Sequence, residues 1–176
     1  GRCRHIVNAL QDVAWQSDGE REPVDLADIV QASLDLLNNK QQGQGATVVV
    51  DIPVALPVVV HRDQVGQVLL NLLTNAGQAM QGKGAIVVGG TRKGGHCHLS
   101  VTDSGDGIEP SVIGRIFEPF YTTKPRGQGT GLGLSISSSI ITEHGGYIDV
   151  RSRPGEGATF TVVLQAAGSD QPKVTP

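Results

Sequence analysis

The chain is poor in aromatic residues, with one Trp, two Tyr and three Phe among 176 residues, and it holds only two cysteines. So few rings exclude a stacking platform for single-stranded nucleic acid. Cys3 and Cys97 form neither a CxxC pair nor a zinc spacing, which fits a reducing cytosol. Charge of one sign is also missing: 14 basic residues against 17 acidic give a net charge of −3. That balance excludes a basic nucleic-acid binder and a polybasic membrane surface. No apolar run approaches the roughly 20 residues of a bilayer span, and no signal-peptide pattern opens the sequence. What is present is a 38% hydrophobic fraction arranged in periodic blocks, enough for the core of one domain. Glycine is abundant at 24 residues and clusters between positions 82 and 157.

Along the chain, Ile6, Leu10 and Val13 follow a helical spacing, so residues 1–16 read as the end of a helix whose start is not in the sequence. Residues 17–23 are polar and read as a linker. Asp25 is placed to cap a helix that ends near Lys40, with Leu26, Ile29 and Ser33 on one face. The β-branched run 46–52 predicts a strand, and Val58–Val60 a second short one. Residues 62–81 form the clearest helix. Strands are expected at about 85–92 and 96–103, joined at Gly94-Gly95 as a hairpin. Residues 104–131 are irregular. A helix over about 132–144 stops at Gly145-Gly146, and a second hairpin joins 147–152 to 158–164. After Gln165 a disordered tail is expected. Helices with hairpins predict an α+β sandwich, one mixed sheet with helices covering one face.

The 62–81 helix carries two stripes. Val65, Leu69, Leu72, Ala76 and Met80 form an apolar face. Gln64, Gln67, Asn71, Asn75 and Gln78 form a face made entirely of neutral amides. A merely solvated face would carry Lys and Glu, which are better helix formers than Asn. Asn71 and Asn75, one turn apart, aim two carbonyl oxygens the same way, which suits a hydrated Mg²⁺.

Two glycine-rich segments follow. Asp103-Ser104-Gly105-Asp106-Gly107 comes directly after a strand. It is either a tight turn or a place where the backbone approaches a ligand, with Asp103 free to accept a hydrogen bond from an amino group such as that of adenine. A calcium loop is excluded, because Gly114 stands at the twelfth position, where a bidentate Glu is required. Gly129-Thr130-Gly131-Leu132-Gly133-Leu134 precedes a helix, a setting in which backbone N–H groups cradle phosphate. It is not a dinucleotide fingerprint, since Leu134 stands where the third glycine belongs. The stretch 77–83 is a near miss to a P-loop that fails because Gly84 replaces Ser or Thr.

These pieces, in this order, resemble the catalytic ATP-binding domain (HATPase_c) of bacterial sensor histidine kinases. That family belongs to the GHKL ATPase superfamily, with type II topoisomerases, chaperones and mismatch-repair proteins. Residues 67–76 resemble its N box, 103–108 its G1 box, 116–124 its F box, 129–134 its G2 box, and 155–160 its last glycine motif. The resemblance spans roughly residues 25–164. It implies a Bergerat-type two-layer α/β sandwich with a mainly antiparallel mixed sheet. It divides the chain into the end of an upstream dimerisation helix (1–16), a linker (17–24), the catalytic domain (25–165) and a tail (166–176).

The resemblance also implies roles. Asn75 ligates Mg²⁺, and Asn71 contacts phosphate or a metal-bound water. Asp103 reads the adenine amino group, with Gly105, Gly107, Ile108 and Thr159 shaping its pocket. Residues from about 109 to 131 form a mobile ATP lid anchored by Phe117 and Phe120, with Thr122 and Thr123 shaping it. Lys124, and with it Arg126, reaches the phosphates; a solvated lid charge is an equal reading for Arg126. Gly129, Thr130, Gly131, Leu132 and Gly133 cradle them. Asn71, Asn75 and Lys124 are thus the catalytic set, and ATP and Mg²⁺ the expected substrate and cofactor.

In hydrolysing members of the superfamily a Glu stands one turn before the metal-binding Asn. Here that place holds Asn71, which cannot act as a general base. The resemblance therefore implies phosphoryl transfer to a His on an upstream helical domain, then to an aspartate of a response regulator, and not efficient hydrolysis. His5 is followed by Ile-Val-Asn-Ala and lacks the acidic neighbour expected of the acceptor. His144, at a helix C-terminus, is explained by favourable charge there. His96, Cys97 and His98 have no fourth ligand nearby for a metal. The expected setting is a cytoplasmic domain of a protein that forms homodimers, with any membrane anchor outside this sequence. This chain alone is expected to be a monomer or weak dimer, with no nucleic-acid partner. The competing readings are a slow ATP hydrolase or protein-serine kinase on the same fold, and a degenerate nucleotide-sensing module.

Overall fold

A computed structural model describes residues 20–40, 46–80, 83–124 and 129–169. The expected helix end at 1–16, Arg126 and residues 170–176 lie outside the described residues. Eleven elements follow in order among those described: β1 (Glu22–Asp25), α1 (Leu26–Lys40), β2 (Ala46–Asp51), β3 (Pro57–Val60), α2 (Arg62–Ala79), β4 (Gly84–Lys93), β5 (His96–Asp103), α3 (Pro110–Ile113), α4 (Gly133–Glu143), β6 (Tyr147–Ser152) and β7 (Ala158–Gln165).

The main sheet has the order β2-β4-β5-β7-β6. Its β2–β4 pair is parallel and the other three pairs are antiparallel. Burial alternates along β5, and along β7 as far as Val162, so one face of the sheet is covered. The helices supply the cover. Leu26, Ile29 and Val30 of α1, Leu69, Leu72 and Leu73 of α2, and Ile141 of α4 pack with Ile86, Leu99 and Val162 of the sheet into one core. Each such side chain contributes about 1.5–3 kcal/mol by leaving water. The α+β sandwich with helices on one face is therefore as expected.

Turn chemistry sets the register. Gly94 and Gly95 take φ of +59° and +76° and close β4 onto β5 in two residues, the loop a right-twisted hairpin favours. At the end of α4, Gly145 takes φ of +75°. Its N–H donates to Thr142 O and that of Gly146 to Ile141 O, a Schellman closure of the helix. Asp25 caps α1 through Oδ1, which accepts the Ala27 N–H at 2.9 Å.

Three expectations need correction. Residues 22–24 are not linker: Glu22–Asp25 pairs antiparallel with Pro57–Val60 as a separate two-stranded ribbon. One apolar residue, Val24, left no strand signal; the partner strand supplies the pairing. Residues 166–169 are tied down, since Ala166 N donates to Gly95 O and Ala167 N to Pro57 O, and Ala166 is buried. Third, residues 104–131 are not irregular throughout, because Pro110–Ile113 forms the single turn α3.

Candidate nucleotide site

The amide face of α2 looks out between the end of β5 and the start of α4. Its polar groups form a directed chain. Asn71 Nδ2 donates to Ser137 Oγ of α4 at 2.9 Å, and Asn75 Nδ2 donates to Asn71 Oδ1 at 3.4 Å. Asn75 Oδ1 is left to accept Lys124 Nζ at 3.1 Å. Lys124 Nζ also donates to Gln78 Oε1 in a short contact. An ammonium thus rests on the oxygen that sequence reasoning assigned to a cation. Burial pulls the Lys124 ammonium below the ordinary lysine value.

Asp103 ends β5 and is 5% exposed. Its Oδ1 accepts the Gly105 N–H at 2.9 Å. Burial raises the carboxyl above its ordinary value, and bonds from the Gly105 and Ala158 backbone oppose that rise. A cleft of about 270 Å³ opens beside it, lined by Ala79, Met80, Lys83, Ser104, Gly105 and Asp106. A Cβ on Gly105 would lie 2.9 Å from Ala79 Cβ, so glycine keeps the loop against α2. Gly107 takes φ of +73°, and a Cβ there would collide with the Arg153 carbonyl. Ile108 N donates to Ser152 Oγ at 2.8 Å, and Ser152 Oγ donates to Gly157 O at 2.6 Å. These bonds, with Gly155 N to Asp106 O at 2.7 Å, pin the glycine turn to the β6–β7 loop. Thr159 meets Thr102 across the β5–β7 pair, hydroxyl to hydroxyl at 3.0 Å.

The segment after α3 meets the approach to α4 at Phe120 and Gly131. Phe117 packs against the core, half-buried. Phe120 does not anchor as expected: the residue is 74% exposed. Its φ of +66° turns the backbone so that its N–H donates to Gly131 O at 2.9 Å while the side chain faces solvent. Gly131, at φ of +68°, lies so close to the Phe120 backbone that a Cβ would collide with it. Thr130 Oγ1 accepts the Leu132 N–H at 3.3 Å, and α4 starts at Gly133. Its first-turn N–H groups have no intrahelical partner, the feature that lets such an end hold an anion. Gly129 lies beside Thr122 and Lys124. Thr122 Oγ1 accepts the Lys124 N–H at 3.1 Å, whereas Thr123 is exposed and bonds to no described residue.

The structure brings Asn71, Asn75, Lys124 and Gly133 together, and sets Gly105, beside Asp103, against Ala79 at the C-terminal end of α2. Sequence reasoning missed Ser137 and Ser152. Ser137 is one of three consecutive serines, and only the phase of α4 against α2 singles it out. It passed over Gln78 as a site residue, although Gln78 belongs to the amide stripe.

His144 corrects another expectation. It is 8% exposed and is not a charged helix-end residue. Its Nδ1 donates to Ile140 O at 2.7 Å and its Nε2 accepts the His61 N–H at 3.0 Å, which requires the neutral ring. Burial lowers its pKa.

A five-stranded sheet under three helices, with an amide-lined face between a buried carboxylate and a glycine-rich helix start, defines a nucleotide-binding domain of the ATPase class. Residues 60–168 match the family described as histidine kinase-, DNA gyrase B-, and HSP90-like ATPase, and the chain belongs to that family. Over 164 residues it is 36% identical to the sensor histidine kinase ZraS of Escherichia coli strain K12, covering 93% of this chain and 35% of that protein. The chain thus spans about a third of that relative's length. The catalytic domain of histidine kinase ThkA superposes with a TM-score of 0.75 at 32% identity, covering 84% of this chain and 96% of that one. Full-length ShkA in complex with AMPPNP superposes with a TM-score of 0.77 at 26% identity, covering 94% of this chain and 37% of that one. The chain is a catalytic domain of the sensor histidine kinase type, with a nucleotide-binding fold.

Proposed function

We propose that this domain binds ATP with Mg²⁺ and transfers the γ-phosphate to a His on a helical domain preceding it, for relay to an aspartate of a response regulator. The observation that carries the reading is the cation already seated at Asn75: Lys124 Nζ on Oδ1 at 3.1 Å. An amide oxygen that accepts an ammonium there fits one oxygen ligand of a hydrated Mg²⁺, which keeps several waters. When bound, Mg²⁺ supplies charge neutralisation on the phosphate oxygens.

The residues divide the work. Asp103, held as an acceptor by its loop, takes the adenine amino group, and Gly105, Gly107, Ile108 and Thr159 shape that pocket. Phosphate oxygens meet the free N–H groups around Gly131 and Gly133 and the Lys124 ammonium. Leu132 and Thr130 hold that loop, while Gly129 and Thr123 belong to the lid around it. Phosphoryl transfer then needs mainly alignment and charge stabilisation, which these groups supply. Asn71 has no basic atom, so water is not activated and the phosphate waits for its histidine acceptor. The proposal places the domain in a cytoplasmic, homodimeric setting. Among the described residues no helix is long and apolar enough to cross a membrane.

The test is incubation with γ-labelled ATP and Mg²⁺, with and without a separately produced helical phosphoacceptor domain. The expected result is acid-labile phosphate on the added domain, none in stoichiometric amount on this chain alone, and no steady ADP release. Steady ADP release would favour a hydrolase, and acid-stable phosphate on a Ser-containing partner a serine kinase.

A further inference from the structure

We propose that Gln64 is a reserve acceptor for the His61 backbone N–H and takes it over when His144 is protonated, so that the junction of α2 and α4 exchanges hydrogen-bond partners with pH. His61 is the N-cap of α2 and His144 the C-cap of α4. Their rings meet edge to face, with centroids 5.3 Å apart. The His61 N–H donates to His144 Nε2 at 3.0 Å, and His144 Nδ1 donates to Ile140 O at 2.7 Å. Both ring nitrogens of the neutral His144 are thus committed, one as donor and one as acceptor.

A capping box sends the N-cap N–H elsewhere. A Glu or Gln at the third helical position folds back and accepts it. Since α2 starts at Arg62, that position is Gln64. Its Oε1 is buried and accepts no hydrogen bond from any described residue. The start of α2 therefore has two acceptors for one donor, and His144 holds the donor. His61 Nδ1 is buried and unpaired as well, so the His61 side chain neither caps the helix nor occupies Gln64. The direction of the Gln64 amide in this state does not decide the matter, because rotation about its last bond is soft.

A proton on His144 Nε2 turns that nitrogen from acceptor to donor and sets two N–H groups against each other. The charged and titratable groups facing the ring are Arg21 before β1, His61 at the head of α2 and Glu143 on α4. Arg21 and His61 oppose the added charge and Glu143 favours it. Arg21 Nη2 also donates to Glu143 O at 2.6 Å. Gln64 Oε1 gives the displaced His61 N–H a new partner on its own helix. The tie between α2 and α4 then opens while the start of α2 stays capped.

The test lowers the pH on the isotope-labelled chain and follows the His144 ring and the His61 amide by NMR, in wild type and in Gln64→Leu. Above the histidine range, a scalar coupling between the His61 amide nitrogen and His144 Nε2 is expected in both proteins. The variant should be no less stable to urea there, because Gln64 has no bond to lose. As the ring is charged, the coupling disappears. The His61 amide then keeps its protection from hydrogen exchange in wild type and loses about fivefold or more of it in Gln64→Leu, the worth of one hydrogen bond. The proton affinity of His144 falls by a similar factor in the variant. No coupling in neutral wild type, the same loss of protection in both proteins, or the same His144 titration in both overturns the proposal. A variant destabilised equally at every pH also overturns it, since Gln64 would then only pack. If acid unfolds the chain before the ring is charged, the unfolding midpoint decides. Gln64→Leu should unfold at a higher pH than wild type, and an unchanged midpoint overturns the exchange.

Discussion

Lys124 Nζ lies 3.1 Å from Asn75 Oδ1 and so joins the segment after α3 to the amide face of α2. On the function proposed, the lysine holds the place of a cation and moves to meet phosphate. Lys124→Met is expected to weaken Mg²⁺·ATP binding by about tenfold or more, the range for a lost hydrogen bond to a charged group. The side chain is partly exposed, so unfolding stability should change by less than about 1 kcal/mol. Calorimetry and urea unfolding on the same samples check both parts; unchanged affinity would remove Lys124 from the site.

Asp103 shows the opposite balance of stability and function. Burial raises its carboxyl pKa, so the folded state holds the proton more tightly than the unfolded chain does. Stability contributed by this group accordingly falls as pH rises from the ordinary carboxylate value through the folded one. At neutral pH the charge is a cost kept for binding. Asp103→Asn should melt no lower than wild type while ATP affinity drops about tenfold or more, because an amide nitrogen would face the adenine amino group. Thermal melts with an ATP titration test this. A lower melting temperature with full ATP affinity would reverse the assignment.

His144 predicts a pH-dependent fold. Its folded pKa is depressed, with His61, Arg21 and Glu143 the charged and titratable groups facing it. The unfolded chain binds the proton first, so stability rises with pH across the window below the ordinary histidine value, and is lost as pH falls through it. Urea unfolding between about pH 7 and pH 5 should show that slope, and His144→Gln should flatten it. An identical slope in the variant would assign the effect elsewhere.

Gly155 and Gly157 separate conformational from steric need. Both take positive φ, +78° and +79°. A Cβ on Gly155 meets nothing within 4 Å, whereas one on Gly157 collides with the Asp103 carbonyl. Gly155→Ala should cost about 1–2 kcal/mol, the left-handed penalty alone. Gly157→Ala should cost at least about 2 kcal/mol more, because backbone must shift. Denaturant unfolding of the two variants decides, and equal costs would contradict the packing described.

Much of this was legible beforehand because it depends on local periodicity. The apolar and amide faces of α2 follow from a 3.6-residue repeat, and Gly94-Gly95 and Gly145-Gly146 carry their turn types in the glycine itself. Asn75 and Asp103 stood out by position: one on the amide stripe, one at a strand end before glycines. What stayed hidden is set by partners distant in sequence. Val24 gains its strand from Val58. Ser137 gains its role from Asn71, 66 residues away. His144 is neutral because the backbone of His61 occupies its ring nitrogen, which no feature of the α4 sequence announces. The resemblance implies an anchoring ring at Phe120, yet its backbone, not its ring, makes the contact with Gly131.

The most direct test of the account is a calorimetric titration of ATP, with and without Mg²⁺, into this chain and into Asn75→Ala. The account predicts a Mg²⁺-dependent binding heat in the parent chain, lost in Asn75→Ala, with each injection returning to baseline. Binding that is indifferent to Mg²⁺ or to Asn75→Ala, or a sustained heat of hydrolysis after each injection, would contradict it.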